Sequence, residues 1–192
     1  IFSSPAFAGS VYYDGASAIV AGSQVLFQFD LQSDSGADPS DIRLQLDSAT
    51  GAIINNAPIP GGFYGAITNG SDVYMHYAYG ADGKEQLWKY NTATKSSTLI
   101  ADGFNQIDGA CLAGGNLYFA GTKDSSTSDI WQYNLASASL RGLGDVFNPT
   151  SSSIYLDGMK SIVAGSQVLF QFDLKSDSGA DPSDIRLQLD SA

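Results

Sequence analysis

A passage of 31 residues occurs twice in this 192-residue chain, and this duplication is the strongest constraint on its fold. The copies begin at Ile19 and Ile162, lie 143 residues apart, and differ only where Gln32 is replaced by Lys175. Such self-similarity is typical of repeat architectures, in which each unit packs on its neighbours. The sequence therefore predicts a fold of repeated units, the last of which restates the first.

Four segments of the chain align without gaps, and each predicts a β-hairpin. Each segment has an apolar run, a turn, and a second apolar run, with a glycine at the same place in the turn. Glycine takes positive φ without steric cost, so turns of this composition are typical of tight hairpins. The turn glycines are separated by 48, 44 and 51 residues, and they are Gly22, Gly70, Gly114 and Gly165.

A third strand is predicted after each hairpin. The four strands share a large apolar residue, a polar residue, a large apolar residue and then Asp or Asn. An Asp or Asn side chain can accept a hydrogen bond from the backbone just ahead, which favours a turn there. These strands begin at Leu44, Trp88, Trp131 and Leu187. A weaker fourth strand is predicted in three units, in the stretches "AIINNA", "STLIAD" and "LRGLGD".

Three strong strands and a weak fourth, in a unit of ~45–50 residues, match one blade of a β-propeller. We therefore predict an all-β fold, a single β-propeller domain or fragment whose blade units span residues 10–61, 62–106, 107–152 and 153–192. The units form either a small closed ring or a slice of a larger propeller built from three-blade triplets. The structural alternative is a β-sandwich, which gives no reason for four units to share turn, strand and spacing.

The first nine residues allow two interpretations. They supply either a clasp strand that completes the last unit, or the remnant of a secretory signal peptide, because Ala6-Phe7-Ala8 has the small residues of a cleavage site.

Two stretches resemble β-propeller repeats with kelch-like or "ELW"-type sequences. They are "LYFAGTKDSSTSDIWQYNLAS" and "KEQLWKYNTATKSSTLIADG". The resemblance covers nearly the whole chain as a pattern. It implies propeller blades and does not imply one biochemical family.

The charge balance limits the partners of the chain. Nine Lys and Arg face twenty Asp and Glu, which gives a net charge of −11. Nucleic acids and anionic membranes require clusters of Lys and Arg, so neither is expected as a partner. No apolar run reaches the ~18 residues that span a bilayer, so no membrane span is predicted. The low lysine content and the Asp-rich loops favour an extracellular or cell-surface setting.

An Asp-rich loop in each copy of the duplicated passage is a candidate metal site. Ca²⁺ prefers several carboxylate and carbonyl oxygens from one flexible loop. The alternative is a solvated hairpin tip, with Gly36 and Pro39 shaping the turns. The candidate calcium ligands are Asp34, Asp38, Asp41, Asp177, Asp181 and Asp184.

Four other residues have side chains that could take part in chemistry. His76, the single histidine, has no catalytic motif around it and no His or Cys partner nearby, so a structural role is expected. Cys111, the single cysteine, lies in an apolar run and is predicted to be buried. Trp88 and Trp131 could stack on sugars, but Leu occupies the equivalent positions elsewhere, which favours core packing.

These observations leave three functional hypotheses. The first is a secreted or surface-exposed, non-enzymatic propeller that binds a carbohydrate or protein ligand, or that assembles with itself. The alternative is a glycoside hydrolase or lyase acting on polysaccharide, with two Asp side chains as acid and base. The third is a purely structural repeat whose duplicated end permits exchange between chains.

Overall fold

The structure of the protein, a computed structural model, describes residues 11–33, 42–55, 59–123, 130–144, 154–176 and 185–190. Within these ranges the secondary structure is fourteen β-strands, without a helix. The described part of the chain therefore has no helix of the length and apolarity needed to cross a membrane. The strands are β1 (Val11–Ala21), β2 (Gln24–Ser33), β3 (Ile42–Asp47), β4 (Ile53–Asn55), β5 (Gly62–Asn69), β6 (Asp72–Tyr79), β7 (Glu85–Asn91), β8 (Ser96–Ala113), β9 (Asn116–Lys123), β10 (Ile130–Asn134), β11 (Ser139–Gly144), β12 (Ile154–Ala164), β13 (Gln167–Ser176) and β14 (Ile185–Asp190).

The strands form three antiparallel sheets. Strands β1 to β4 form the first sheet, β5 to β11 the second, and β12 to β14 the third, each in chain order. The second sheet contains two units because β8 is 18 residues long and runs through both. All four predicted hairpins are present, and so are the predicted third and fourth strands. We call β1–β4 unit 1, β5–β7 with the first part of β8 unit 2, the rest of β8 with β9–β11 unit 3, and β12–β14 unit 4.

Each unit contacts the next through its first strand. Strand β1 contacts β5, β5 contacts β8, and β8 contacts β12. Between the described residues of units 1 and 4 there is no strand pairing. The four described units therefore follow one another in the order that the sequence repeat predicts.

The hairpin turns have the geometry that their glycines predict. Gly22, Gly70 and Gly165 have φ of 61°, 59° and 63°, and each begins a two-residue turn between paired strands. A side chain at these φ values would be strained, so glycine is the residue that lets each hairpin close tightly.

Three apolar clusters hold neighbouring units together. The cluster between units 1 and 2 includes Leu26 and Met75, and the cluster between units 2 and 3 includes Phe104 and Phe119. The cluster between units 3 and 4 includes Phe170. All five side chains are at most 2% exposed. The core of the protein is therefore a set of unit-to-unit interfaces, and no unit buries its apolar side chains alone.

The Asp or Asn after the third strand forms the turn that the sequence predicts. The Oδ1 atom of Asp47 accepts hydrogen bonds from the backbone of Ala49 and Thr50 and from the Thr50 hydroxyl, at 2.9–3.0 Å. Asn91 and Asn134 make the same three contacts in units 2 and 3. The prediction of a side-chain-stabilised turn is confirmed in all three units.

We expect Asp47→Asn to keep this turn and to remove one source of pH dependence. The backbone and hydroxyl of Thr50, followed by the backbone of Ala49, lower the pKa of Asp47 below its ordinary value of 3.8. A lowered pKa stabilises the folded protein above the unfolded-state pKa, and this stabilisation is lost as the pH falls through the folded-state pKa. Urea unfolding between pH 6 and pH 2 should therefore show a smaller acid loss in the Asp47→Asn protein than in the wild type. Equal losses would contradict the assignment.

Candidate functional site

Each unit presents two faces, and strand register assigns the side chains to them. Directly opposed residues in an antiparallel pair lie on the same face of the sheet. In unit 1, Leu26 is opposite Gln45 and Gln28 is opposite Arg43, and we call their side face A. The other side, which we call face B, carries Val25, Phe27, Phe29, Leu44 and Leu46. The corresponding positions define faces A and B in the other units.

Face A of unit 1 is covered by face B of unit 2. Leu26 and Ala21 are 0% and 1% exposed, and they pack with Val73, Met75 and Tyr90 of unit 2. Large apolar side chains from unit 2 thus fill the space above the small and branched side chains of unit 1. Burial of apolar surface is the main stabilising contribution at this interface.

A buried polar network fixes the register of the same interface. The Tyr90 hydroxyl donates a hydrogen bond of 2.5 Å to Gln45 Oε1, and Gln45 Nε2 donates one of 2.8 Å to the Thr92 carbonyl. The Thr92 hydroxyl in turn donates to the carbonyl of Ser71, at 3.1 Å, and to that of Ala21, at 3.3 Å. Because buried polar groups require partners, this network specifies one alignment of unit 1 on unit 2.

Face A of unit 4 has the same main side chains as face A of unit 1, but it is open. Leu169 and Gln171, the counterparts of Leu26 and Gln28, are only half-buried. Gln188, the counterpart of Gln45, is exposed. Ile162 is 62% exposed. A shallow cavity of about 500 Å³ lies on this face. Face A is therefore covered in unit 1 and open in unit 4, although its main side chains are the same in both units.

Face B of unit 1 and face B of unit 4 also differ in burial along the second strand. Val168, Phe170 and Phe172 of unit 4 are at most 2% exposed and pack against unit 3. Their counterparts in unit 1, among them Phe27 and Phe29, are half-buried. Along the second strand, face B is thus more deeply buried in unit 4 than in unit 1, whereas on the third strand Leu44 of unit 1 is buried, at 9% exposure.

The single histidine and the single glutamate of the chain lie together between units 2 and 3. His76 Nδ1 is 3.9 Å from Glu85 Oε2, and both residues are buried. Glu85 Oε2 also accepts a 2.7 Å hydrogen bond from the Ile107 backbone N–H on β8. The pair is closed off from solvent, so its main effect is to fix β8 where the chain passes from unit 2 to unit 3. This agrees with the structural role expected for His76.

The tryptophans and the cysteine also belong to the packing. Trp88 packs against the cluster between units 1 and 2, and Trp131 against the cluster between units 2 and 3. The expectation of core packing is confirmed for both. Cys111 is buried, as predicted, and burial raises the pKa of its thiol above the ordinary value.

The candidate calcium ligands lie outside the described residues, as do residues 1–9. This applies to Asp34, Asp38, Asp41, Asp177, Asp181 and Asp184. Within the described ranges, no group of three or more His, Cys, Asp or Glu side chains is placed to hold a metal ion. The calcium hypothesis therefore stays a prediction, and so does the polysaccharide-acting alternative.

Sequence reasoning missed both the covered and open faces and the His76–Glu85 pair. The polar residue in the third strand of each unit was a usable signal for the faces. A glutamine between two large apolar residues, as at Gln45, is costly to bury without partners. Its recurrence at Gln132 and Gln188 pointed to a contact between units. For His76 and Glu85, being the sole residues of their kinds was the available signal.

Comparison with solved structures finds a β-propeller domain and two peptidases. The β-propeller domain of the Trilobed protease from Pyrococcus furiosus matches with a TM-score of 0.56 and 13% identity, over 96% of this chain and 59% of that chain. An acylaminoacyl peptidase from Pyrococcus horikoshii matches with a TM-score of 0.53 and 10% identity, over 93% of this chain and 32% of that chain. An acylaminoacyl peptidase in complex with Z-Gly-Gly-Phe-chloromethyl ketone matches with a TM-score of 0.54 and 11% identity, over 94% and 33%.

These likenesses show a propeller-type, all-β fold. This chain spans less than two thirds of each of the three matched chains. No family model matches the chain, and no curated protein matches it. The kelch-like or "ELW"-type character of the blades stays a prediction.

Proposed function

We propose that the protein is a non-enzymatic interaction module of the β-propeller type. It binds a protein partner that carries a β-blade, and it does so through the open face A of unit 4. We place this activity outside the cell or at its surface, in keeping with the acidic, lysine-poor sequence.

One observation carries the proposal. Leu26 and Gln45 of unit 1 contact the neighbouring unit 2, and the same two side chains recur as Leu169 and Gln188 on the open face of unit 4. A surface that binds a blade at one place in a molecule has the chemistry to bind one at another. Contiguous apolar surface left open to water is typical of a protein-binding site.

One contact of Glu85 and the burial of His76 support the non-enzymatic part of the proposal. Glu85 uses a carboxylate oxygen to accept the Ile107 backbone N–H, and His76 is 3% exposed. A general acid or base must reach its substrate, so a buried side chain committed to the backbone is poorly suited to that role. The carboxylate of Glu85 is therefore engaged in holding β8, and the imidazole of His76 is buried beside it.

The test compares Gln45→Ala with Gln188→Ala, two identical substitutions at equivalent positions. Gln45→Ala removes the partners of the Tyr90 hydroxyl and the Thr92 carbonyl, which should lower the free energy of unfolding by about 1–2 kcal/mol. Gln188→Ala acts on an exposed side chain and should change it by less than about 0.5 kcal/mol. Urea unfolding of the dilute protein measures both.

Equal losses in the two variants would overturn the proposal. They would mean that face A of unit 4 is already covered by another part of the same chain, as in a closed ring of four blades. The face would then have no room for a partner.

A further inference from the structure

Three units carry a glutamine at the same place in the third strand, on face A. The second-strand residue directly opposite this glutamine is leucine in units 1 and 4, and it is tyrosine in unit 3. The pairs are Leu26–Gln45, Tyr118–Gln132 and Leu169–Gln188. A primary amide is costly to bury without hydrogen bonds, so a glutamine on a covered face needs partners.

In unit 3 the glutamine finds its partners within its own unit. Gln132 Nε2 donates a hydrogen bond of 3.0 Å to the Tyr118 hydroxyl, and Gln132 Oε1 accepts one of 2.6 Å from Arg141 Nε. The third strand of unit 4 carries Leu189, which packs against the cluster that contains Tyr118. A tyrosine opposite the glutamine thus goes with a leucine in the covering blade.

In unit 1 the glutamine takes its partners from the covering blade. The leucine opposite Gln45 has no polar group, and Gln45 is 0% exposed. Gln45 Oε1 accepts a hydrogen bond of 2.5 Å from the Tyr90 hydroxyl, and Nε2 donates one of 2.8 Å to the Thr92 carbonyl. Tyr90 is the counterpart of Leu189. A leucine opposite the glutamine thus goes with a tyrosine in the covering blade.

Unit 4 has the leucine–glutamine pair of unit 1 and not the tyrosine–glutamine pair of unit 3. Gln188 is exposed, and both Leu169 and Gln188 line the shallow cavity on the open face. The leucine leaves no hydroxyl opposite Gln188, so a blade that covers this face must bring one of its own.

An arginine on the same face makes a second matching contact. Arg43 Nη1 of unit 1 donates a 3.3 Å hydrogen bond to the carbonyl of Ile59, which is 2% exposed and packs between units 1 and 2. The counterpart of Arg43 in unit 4 is Arg186, whose side chain is exposed and also lines the cavity. Face A of unit 4 therefore offers a cationic donor as well as an amide.

We infer that the blade bound by face A of unit 4 presents a tyrosine to Gln188, in a third strand of the form Tyr-x-Thr. The tyrosine hydroxyl donates to Gln188 Oε1, Gln188 Nε2 donates to the threonine carbonyl, and Arg186 donates to a backbone carbonyl. This inference rests on the proposed function and names the chemistry of the partner. A blade with leucine in place of the tyrosine would bury the Gln188 amide without a partner, so the face selects against it.

The experiment supplies the full 192-residue chain with a blade of this chemistry. Residues 162–192 repeat residues 19–49 with one difference, so a copy of residues 50–106 placed after Ala192 continues the passage in the same way. In this extended protein, Gln188→Ala should lower the melting temperature by about 3–6 °C, because it leaves a buried hydroxyl and carbonyl unpaired. In the 192-residue chain the same substitution should lower it by less than about 1 °C.

A double-mutant cycle tests the predicted hydrogen bond itself. In the added blade, the counterpart of Tyr90 is changed to Phe, which removes only the hydroxyl. This change should cost about as much as Gln188→Ala, and the two together should cost little more than one alone. The matched control changes the counterpart of Lys89 to Ala, on the opposite side of the same strand, and should shift the melting temperature by less than about 1 °C.

Additive losses in this cycle would overturn the inference. So would a Gln188→Ala substitution without effect in the extended protein, or an added blade that limited proteolysis removes while the rest of the chain resists. Gln45→Ala should cost the same in both proteins, which shows that the original blades are intact in the extended protein. The proposed function is tested separately by Gln45→Ala and Gln188→Ala in the 192-residue chain. It survives these results, because the face would then accept a blade of another chemistry.

Discussion

Phe104→Ala should lower the free energy of unfolding by about 3–5 kcal/mol, the largest loss that we expect from a single substitution. Phe104 is fully buried, and its ring makes edge-to-face contacts with Phe119 at 5.7 Å and with Trp131 at 5.2 Å between centroids. It lies on β8 where this strand pairs with Glu85 on one side and Lys123 on the other. Truncation therefore opens a cavity at the point where units 2 and 3 share a strand.

Leu99→Ala is the matched control for this substitution. Leu99 lies on the same strand but is 40% exposed, so its truncation should cost less than about 1 kcal/mol. Urea unfolding followed by tryptophan fluorescence measures both variants, since Trp131 contacts the Phe104 ring. A loss of similar size in the two variants would contradict the role assigned to Phe104.

Gly121 provides an independent check of the same contact. A Cβ atom at Gly121 would lie 2.7 Å from the Phe104 ring, so Gly121→Ala should destabilise the wild type by about 1–3 kcal/mol. In the Phe104→Ala background the ring is gone, and Gly121→Ala should cost much less. A double-mutant cycle measures this coupling, and additive losses would show that the ring does not oppose Gly121.

The local structure of each unit was predictable because short-range chemistry determines it. Glycine at the hairpin tip and Asp or Asn after the third strand act within a few residues, as at Gly22 and Asp47. Period-2 alternation then assigned Trp88 and Tyr90 to one side of a strand. These features are repeated in the sequence, so the unit, the strand order and the propeller-type fold followed from it.

The covering of the faces was not predictable from the same signals. Leu26 and Leu169 have identical neighbours in sequence, yet one is 0% exposed and the other is half-buried. Alternation tells which side chains share a face, but it does not tell which neighbour covers that face. His76 and Glu85 meet across an irregular stretch of β6 and β7, where the register shifts between Met75 and Ala78. Such a register shift interrupts the alternation of side chains between the two faces of the sheet, so alternation alone does not place these two residues together.

Glu85→Ala should lower the free energy of unfolding by about 2–3 kcal/mol, the largest loss that we expect from a polar substitution. Its carboxylate is the acceptor for the Ile107 N–H at 2.7 Å, and Ile107 is 1% exposed. Removal of the carboxylate leaves this N–H buried without its acceptor, and it also leaves His76 without the negative charge 3.9 Å away.

Glu85→Gln separates the hydrogen bond from the charge. The glutamine amide oxygen can still accept the Ile107 N–H, so this variant should lose less than half as much stability as Glu85→Ala. The remaining loss reports the contribution of the carboxylate charge beside His76. Urea unfolding at pH 7 measures the three proteins under the same conditions. If Gln and Ala were equally destabilising, the hydrogen bond to β8 would not be what Glu85 contributes, and the charge beside His76 would carry the whole effect.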